Sequence, residues 1–153
     1  MYCVKQLARI CAEAEQCLDY RALYDDLKKF TPRKRMTQME TLASSAVATT
    51  LTLPVDLIIV LSESGRMARY VAKYKPSVPI LAATSDFVVF KNLGVVRGVI
   101  PHEFKSDAKD MNALIEQAQQ MNLVKGPCKI ITLLEADSRD YSTASELKIV
   151  DIE

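Results

Sequence analysis

Between Pro54 and the turn Ser62-Glu63-Ser64-Gly65 lies the run Leu57-Ile58-Ile59-Val60-Leu61, unbroken in its apolar character and rich in β-branched side chains. A strand with one wet face alternates apolar and polar residues. An unbroken apolar run of strand length therefore reads as a strand covered on both faces, the situation of a parallel sheet with helices above and below it. Parallel neighbours need crossover connections, usually helices, and the downstream sequence supplies them in alternation. Arg66 to Tyr74 reads as a helix stopped before Pro76, and Ile80-Leu81-Ala82-Ala83 as a second strand. Ser85 to Asn92 reads as a short helix closed by Gly94, and Val95 to Ile100 as a third strand ending at Pro101. The stretch from about Asp107 to Met121 carries Met111, Leu114, Ile115, Ala118 and Met121 on one helical face. Lys129 to Leu134 and Leu147 to Ile152 follow as final strands; joined directly by a loop, they pair antiparallel, with the last at an edge. The expected fold is α/β: a three-layer αβα sandwich around a mostly parallel, doubly wound five-stranded sheet with an antiparallel edge strand.

Upstream of the sheet the periodicity changes to that of helices. Val4, Leu7, Cys11, Ala14 and Leu18 recur every three or four residues, with Lys5, Glu13 and Glu15 on the opposite face. Such a helix needs a partner surface for its apolar stripe. Tyr20 to Phe30 continues as a short helical or irregular piece, and Thr31-Pro32-Arg33-Lys34-Arg35 forms a polar break. Thr37-Gln38-Met39-Glu40 matches the capping box, in which hydroxyl and carboxylate satisfy each other's backbone amides, so a helix is expected from there to about Thr52.

Composition excludes whole classes of function. Twenty Lys and Arg against nineteen Asp and Glu leave a formal charge of +1, no net field for nucleic acid or an anionic membrane. No apolar run approaches the roughly 18–20 residues of a bilayer span, and the N-terminus lacks the apolar region of a signal peptide, so a cytoplasmic protein is expected. Cys3, Cys11, Cys17 and Cys128 show no C-x-x-C spacing and read as reduced, buried thiols. His102 is the single histidine, which argues against a zinc site and histidine-based catalysis, and it reads as a surface loop residue. Lys28, Lys29, Arg33, Lys34 and Arg35 cluster without interleaved aromatics and beside Asp25 and Asp26, the pattern of a solvated loop. Asp56 reads as a cap or a partner of Arg69.

One local feature points to an anion. In an open α/β sheet ligands bind beyond the carboxyl ends of the strands, where a helix N-terminus offers unpaired amides and the positive end of its dipole. At the end of the first strand Gly65 permits close backbone approach, Ser62 and Ser64 can donate hydroxyls, and Arg66 adds charge. Ser62, Ser64, Gly65 and Arg66 are thus the candidate phosphate-binding residues. The same residues also read as plain caps and turn formers of the following helix.

Several fragments resemble pyruvate kinase. Ile10-Cys11-Ala12-Glu13-Ala14-Glu15 is similar to the helix that closes that family's barrel domain, and Glu40-Thr41-Leu42-Ala43-Ser44-Ser45-Ala46-Val47 to the helix that opens its C-terminal domain. Val60 to Arg69 resembles the loop after the first strand, and Ala72-Lys73-Tyr74-Lys75-Pro76 the segment after it. Pro79 to Thr84 and Arg97-Gly98-Val99-Ile100-Pro101 continue the resemblance in order and spacing, whereas the tail after His102 matches only in layout.

The resemblance implies that residues 1–30 are a helical segment from the end of a barrel domain and residues 31–153 the C-terminal α/β domain. It implies a parent phosphotransferase that moves phosphate from phosphoenolpyruvate to ADP in glycolysis, with Mg²⁺ and K⁺ held in the barrel. This chain by itself is then expected to be non-catalytic, to have no catalytic residue, and to bind neither a metal nor a cofactor. Its expected partners are the barrel, a second copy through C-domain contacts, and a phosphate or phosphorylated-sugar effector, with no nucleic acid and no membrane.

In the family the loop after the first strand grips an effector phosphate, and Ser62, Ser64, Gly65 and Arg66 match it. Met67 stands where effector-binding relatives often carry Ser or Thr, and Glu63 sets a carboxylate beside the expected anion. The other half of such a site, from Glu135 to Ser145, has no glycine and holds the carboxylates Glu135, Asp137 and Asp140, with Arg139, Ser142 and Thr143 as the remaining anion-facing candidates. A weakened effector loop is expected. The rival expectation is a free-standing α/β module for a small anionic ligand.

Overall fold

The computed structural model describes residues 2–31, 36–104, 111–124, 126–135 and 145–152. Helices α1 (Tyr2–Gln16), α2 (Tyr20–Phe30) and α3 (Gln38–Thr50) lead into alternating strands and helices: β1 (Leu57–Leu61), α4 (Arg66–Lys73), β2 (Ile80–Thr84), α5 (Phe87–Leu93), β3 (Val99–Glu103), α6 (Met111–Gln120), β4 (Cys128–Leu134) and β5 (Glu146–Ile152). The sheet order is β3-β2-β1-β4-β5; all pairings are parallel except β4 with β5. The expected architecture is present, including the antiparallel edge.

Strand alternation builds two cores. Ile58, Val60, Ile80, Ala82, Ile131 and Leu133 face α2, α3, α4 and α5, whereas Leu57, Ile59, Leu81 and Ile130 face Leu114 and Ala118 of α6. Each of these strand residues is fully buried, which is why β1 contains no polar residue. Complete burial of one such side chain contributes about 1.5–3 kcal/mol.

Several boundaries differ from the sequence reading for identifiable reasons. Strand β3 begins only at Val99, because Gly98 takes φ 75° and Val96 and Val99 close a turn. Pro101 consequently lies inside β3, in register with Ala82, and His102 is a strand residue whose Nε2 lies 2.7 Å from Gln117 Oε1, not a loop residue. Helix α5 starts at Phe87 because Asp86 caps it, its carboxylate accepting from the amides of Val88 and Val89. At α3 only half of the capping box forms. Thr37 Oγ1 accepts from the Glu40 amide, but the Glu40 side chain turns inward to Lys73 Nζ (2.5 Å) and the Tyr74 hydroxyl (3.3 Å). Asp56 lies at the opposite end of the sheet from the Gly65 turn, its amide donating to Lys129 O, and it does not serve as the partner of Arg69.

Helix α2 is anchored on α3. The Tyr24 hydroxyl lies 2.9 Å from Ser44 Oγ and 3.1 Å from Ser44 O, and Lys28 Nζ donates to both hydroxyls, so Lys28 is not part of a solvated loop. Arg33, Lys34 and Arg35 lie outside the described residues. Helix α1 buries no residue: Tyr2, Val4, Leu7 and Ile10 are 54–81% exposed, its apolar stripe is bare, and Cys3, Cys11 and the following Cys17 are exposed, so that of the four cysteines expected to be buried Cys128 alone is. Arg97 Nε donates to Glu15 Oε1 at 2.8 Å, tying the end of α1 to the turn before β3.

Candidate functional site at the end of the first strand

Strand order singles out one point along the carboxyl edge of the sheet. The chain runs outward from β1 through β2 to β3, then crosses back to place β4 on the other side of β1. The carboxyl ends of β1 and β4 therefore flank the switch point at which doubly wound sheets bind ligands. Leu61 pairs with Leu134 in register, so the next residues, Ser62 and Glu135, emerge side by side, and the Glu135 amide donates to Leu61 O at 3.0 Å.

The local sequence shapes this point into a tight turn. Gly65 is the N-cap of α4 at φ 69°, ψ 3°, a left-handed conformation that glycine adopts without a Cβ penalty. A Cβ there would meet Val89 Cγ1 at 2.8 Å. The Gly65 amide donates to Ser62 Oγ at 2.8 Å, and the Arg66 amide and Nε donate to Ser64 Oγ at 3.2 and 3.1 Å. The structure thus brings together all four residues singled out in the sequence: Ser62, Ser64, Gly65 and Arg66.

The carboxylate facing them is Glu135. Both serine hydroxyls donate to it, Ser62 to Oε2 and Ser64 to Oε1 at 2.6 Å, and Arg66 Nε stands 3.8 Å from Oε1. Glu135 is 7% exposed, whereas Glu63 is exposed and takes part through its carbonyl oxygen, which accepts from Thr84 Oγ1. The sequence placed Glu63 beside the expected anion and counted Glu135 among the carboxylates of the facing segment; the structure leaves Glu63 exposed and buries Glu135, the first residue after the strand that neighbours β1. Met67 is fully buried in the core beneath α4, so this side chain does not line the loop. Arg139, Ser142 and Thr143, with Asp137 and Asp140, lie outside the described residues.

A second polar centre lies beneath the helices. Glu40 is buried, and its hydrogen bond to Lys73 raises the Lys73 ammonium above the ordinary lysine value of 10.5. Burial raises the Tyr74 phenol as well. This trio clamps α3 to α4. At the amino end of the sheet, burial first and Asp56 second push the Cys128 thiol upward, which keeps it protonated and unreactive. Among the described residues no three of His, Cys, Asp and Glu converge as metal ligands. No described helix is long and apolar enough to cross a membrane.

Residues 40–150 match the family model described as pyruvate kinase, alpha/beta domain. This chain belongs to the pyruvate kinase family. Pyruvate kinase of Dictyostelium discoideum is 40% identical over 131 residues, covering 82% of this chain and 26% of that protein. The cytosolic isozyme of Glycine max is 35% identical over 144 residues, covering 82% of this chain and 28% of that protein. The solved structure of Cryptosporidium parvum pyruvate kinase in complex with ADP superposes with a TM-score of 0.80 at 28% identity, over 94% of this chain and 29% of that one. The chain thus spans little more than a quarter of the length of these pyruvate kinases.

Proposed function

We propose that this chain is the regulatory and oligomerisation domain of a glycolytic pyruvate kinase. The observation that carries the reading is the extent of the match: residues 40–150 correspond to the α/β domain, and the shared segment is 26–29% of each relative. The parent transfers phosphate from phosphoenolpyruvate to ADP in the cytoplasm, in a barrel that holds Mg²⁺ and K⁺ and that this chain's residues do not build. Residues 1–30 belong to the end of that barrel domain, and the bare stripe of Tyr2, Val4, Leu7 and Ile10 packs against it. Ser62, Ser64, Gly65 and Arg66 form a weakened effector-type phosphate loop, and copies associate through their α/β domains.

The reading is tested on the chain itself. A coupled assay with phosphoenolpyruvate, ADP, Mg²⁺ and K⁺ should give no pyruvate; turnover that scales with protein and survives repurification would end the non-catalytic reading. Light scattering after size exclusion should show a dimer or a concentration-dependent species, and a strict monomer at high concentration would remove the oligomerisation role. The rival, a free-standing module for a small anion, is favoured by the donor-rich turn at Ser62 to Arg66. A coding sequence upstream of Met1 that encodes a barrel excludes the rival.

A further inference from the structure

At the end of β1 the donors that a phosphate would use are already engaged by the chain. The Ser62 and Ser64 hydroxyls are directed at Glu135, the Gly65 amide at Ser62 Oγ, and the Arg66 amide and Nε at Ser64 Oγ. The occupant is itself an anion, buried to 7% exposure, and burying a carboxylate is tolerated where hydrogen bonds compensate the lost water. Its position is set by the sheet: Leu134 pairs with Leu61, and the Glu135 amide is bonded to Leu61 O. The carboxylate is thus delivered by strand register and loses no translational freedom on binding.

We propose that Glu135 is a built-in anion that fills the Ser62–Arg66 loop, holds its turn in place, and excludes free phosphate from it. The proposal rests on the reading of this loop as an anion seat. Two features set the direction of the competition. A free phosphate must displace a tethered group that already satisfies the same hydroxyls, and if it enters beside Glu135 two like charges share one small space. The loop's specificity is then decided on β4, outside the loop's own sequence.

The test uses the whole 153-residue chain. Wild type, Glu135→Ala, Glu135→Gln and the double variant Glu135→Ala/Ser64→Ala are titrated with inorganic phosphate at constant ionic strength, following the amide resonances of Gly65 and Arg66. Wild type should show no saturable shift at concentrations that saturate Glu135→Ala, whose affinity should be at least about tenfold higher, a ratio worth about 1.4 kcal/mol. The double variant should lose that gain. Should Glu135→Ala fail to fold, Glu135→Gln carries the test, since it removes the charge, keeps the shape and should bind phosphate several-fold more tightly than wild type. Equal saturable binding by wild type and the Glu135 variants would overturn the exclusion and leave the anion seat standing. No binding by any folded Glu135 variant would overturn both the proposal and the anion-seat reading beneath it.

Discussion

Replacing Gly65 by alanine should cost this fold about 2–3 kcal/mol, and the two sources of that cost can be separated. Gly65 sits at φ 69°, where an L-residue with a Cβ is disfavoured by roughly 1–2 kcal/mol. The new Cβ would also lie 2.8 Å from Val89 Cγ1 and 3.4 Å from Leu93 Cδ2. Val89 is β-branched and helical, so its χ1 has essentially one well and the methyl cannot swing aside; forced overpacking of this kind costs about 1–3 kcal/mol. Alanine recovers roughly 0.4–1 kcal/mol by restricting the unfolded chain. The assay is a double-mutant cycle by urea unfolding with Gly65→Ala, Val89→Ala and both together. Val89→Ala removes the clashing methyl but leaves the backbone strain, so Gly65→Ala should cost only about 1 kcal/mol in that background. A penalty below about 0.5 kcal/mol for Gly65→Ala, or the same penalty in both backgrounds, would refute this reasoning.

Tyr24→Phe removes the hydroxyl shared with Ser44 and Lys28 and should destabilise by about 1–2 kcal/mol in denaturant titration, with the helical signal retained. The clamp of Glu40 on Lys73 and Tyr74 predicts a pH dependence of known sign. Both folded-state values are raised, so their stabilisation is fully present below the ordinary values of 10.5 and 10.0 and is lost as pH rises through the higher folded values. Melting temperatures measured from pH 8 upward should therefore fall more steeply above about pH 10 for wild type than for Glu40→Gln; parallel profiles would remove the clamp. With a neutral alkylating reagent at pH 8, Cys3, Cys11 and Cys17, all exposed, should react well before buried Cys128, as peptide mapping would report.

The fold was legible because β1 carries its own proof of two-sided burial: five consecutive apolar residues leave no choice of wet face. The start of β3 was not legible, because Val95-Val96 looks like strand but is spent on a turn that Gly98 completes in the left-handed region. Glu40 matched a capping motif on paper, yet Lys73 and the buried Tyr74 at the end of α4 together outcompete a single backbone amide for its carboxylate. The loop residues Ser62, Ser64, Gly65 and Arg66 were legible as local chemistry, whereas the group that faces them comes from 73 positions along the chain from Ser62. Resemblance set the segment from Glu135 to Ser145 opposite the loop, but that Glu135 itself meets both serines follows from strand register, which a motif read along one segment does not carry.

Pro101 limits how the sheet of this domain can be extended. It lies in the middle of β3, an outer strand, and because Phe104 turns its amide inward to Thr84, alternation turns position 101 outward. A proline there presents no donor to a would-be neighbouring strand, so the sheet cannot be continued across that border as a regular ladder. The opposite border, β5, sets Glu146, Lys148 and Asp151 along its length, and a charged margin likewise resists strand addition. Growth of the five-stranded sheet into a longer ribbon is thus opposed at both of its borders, by a missing donor at one and by charge at the other.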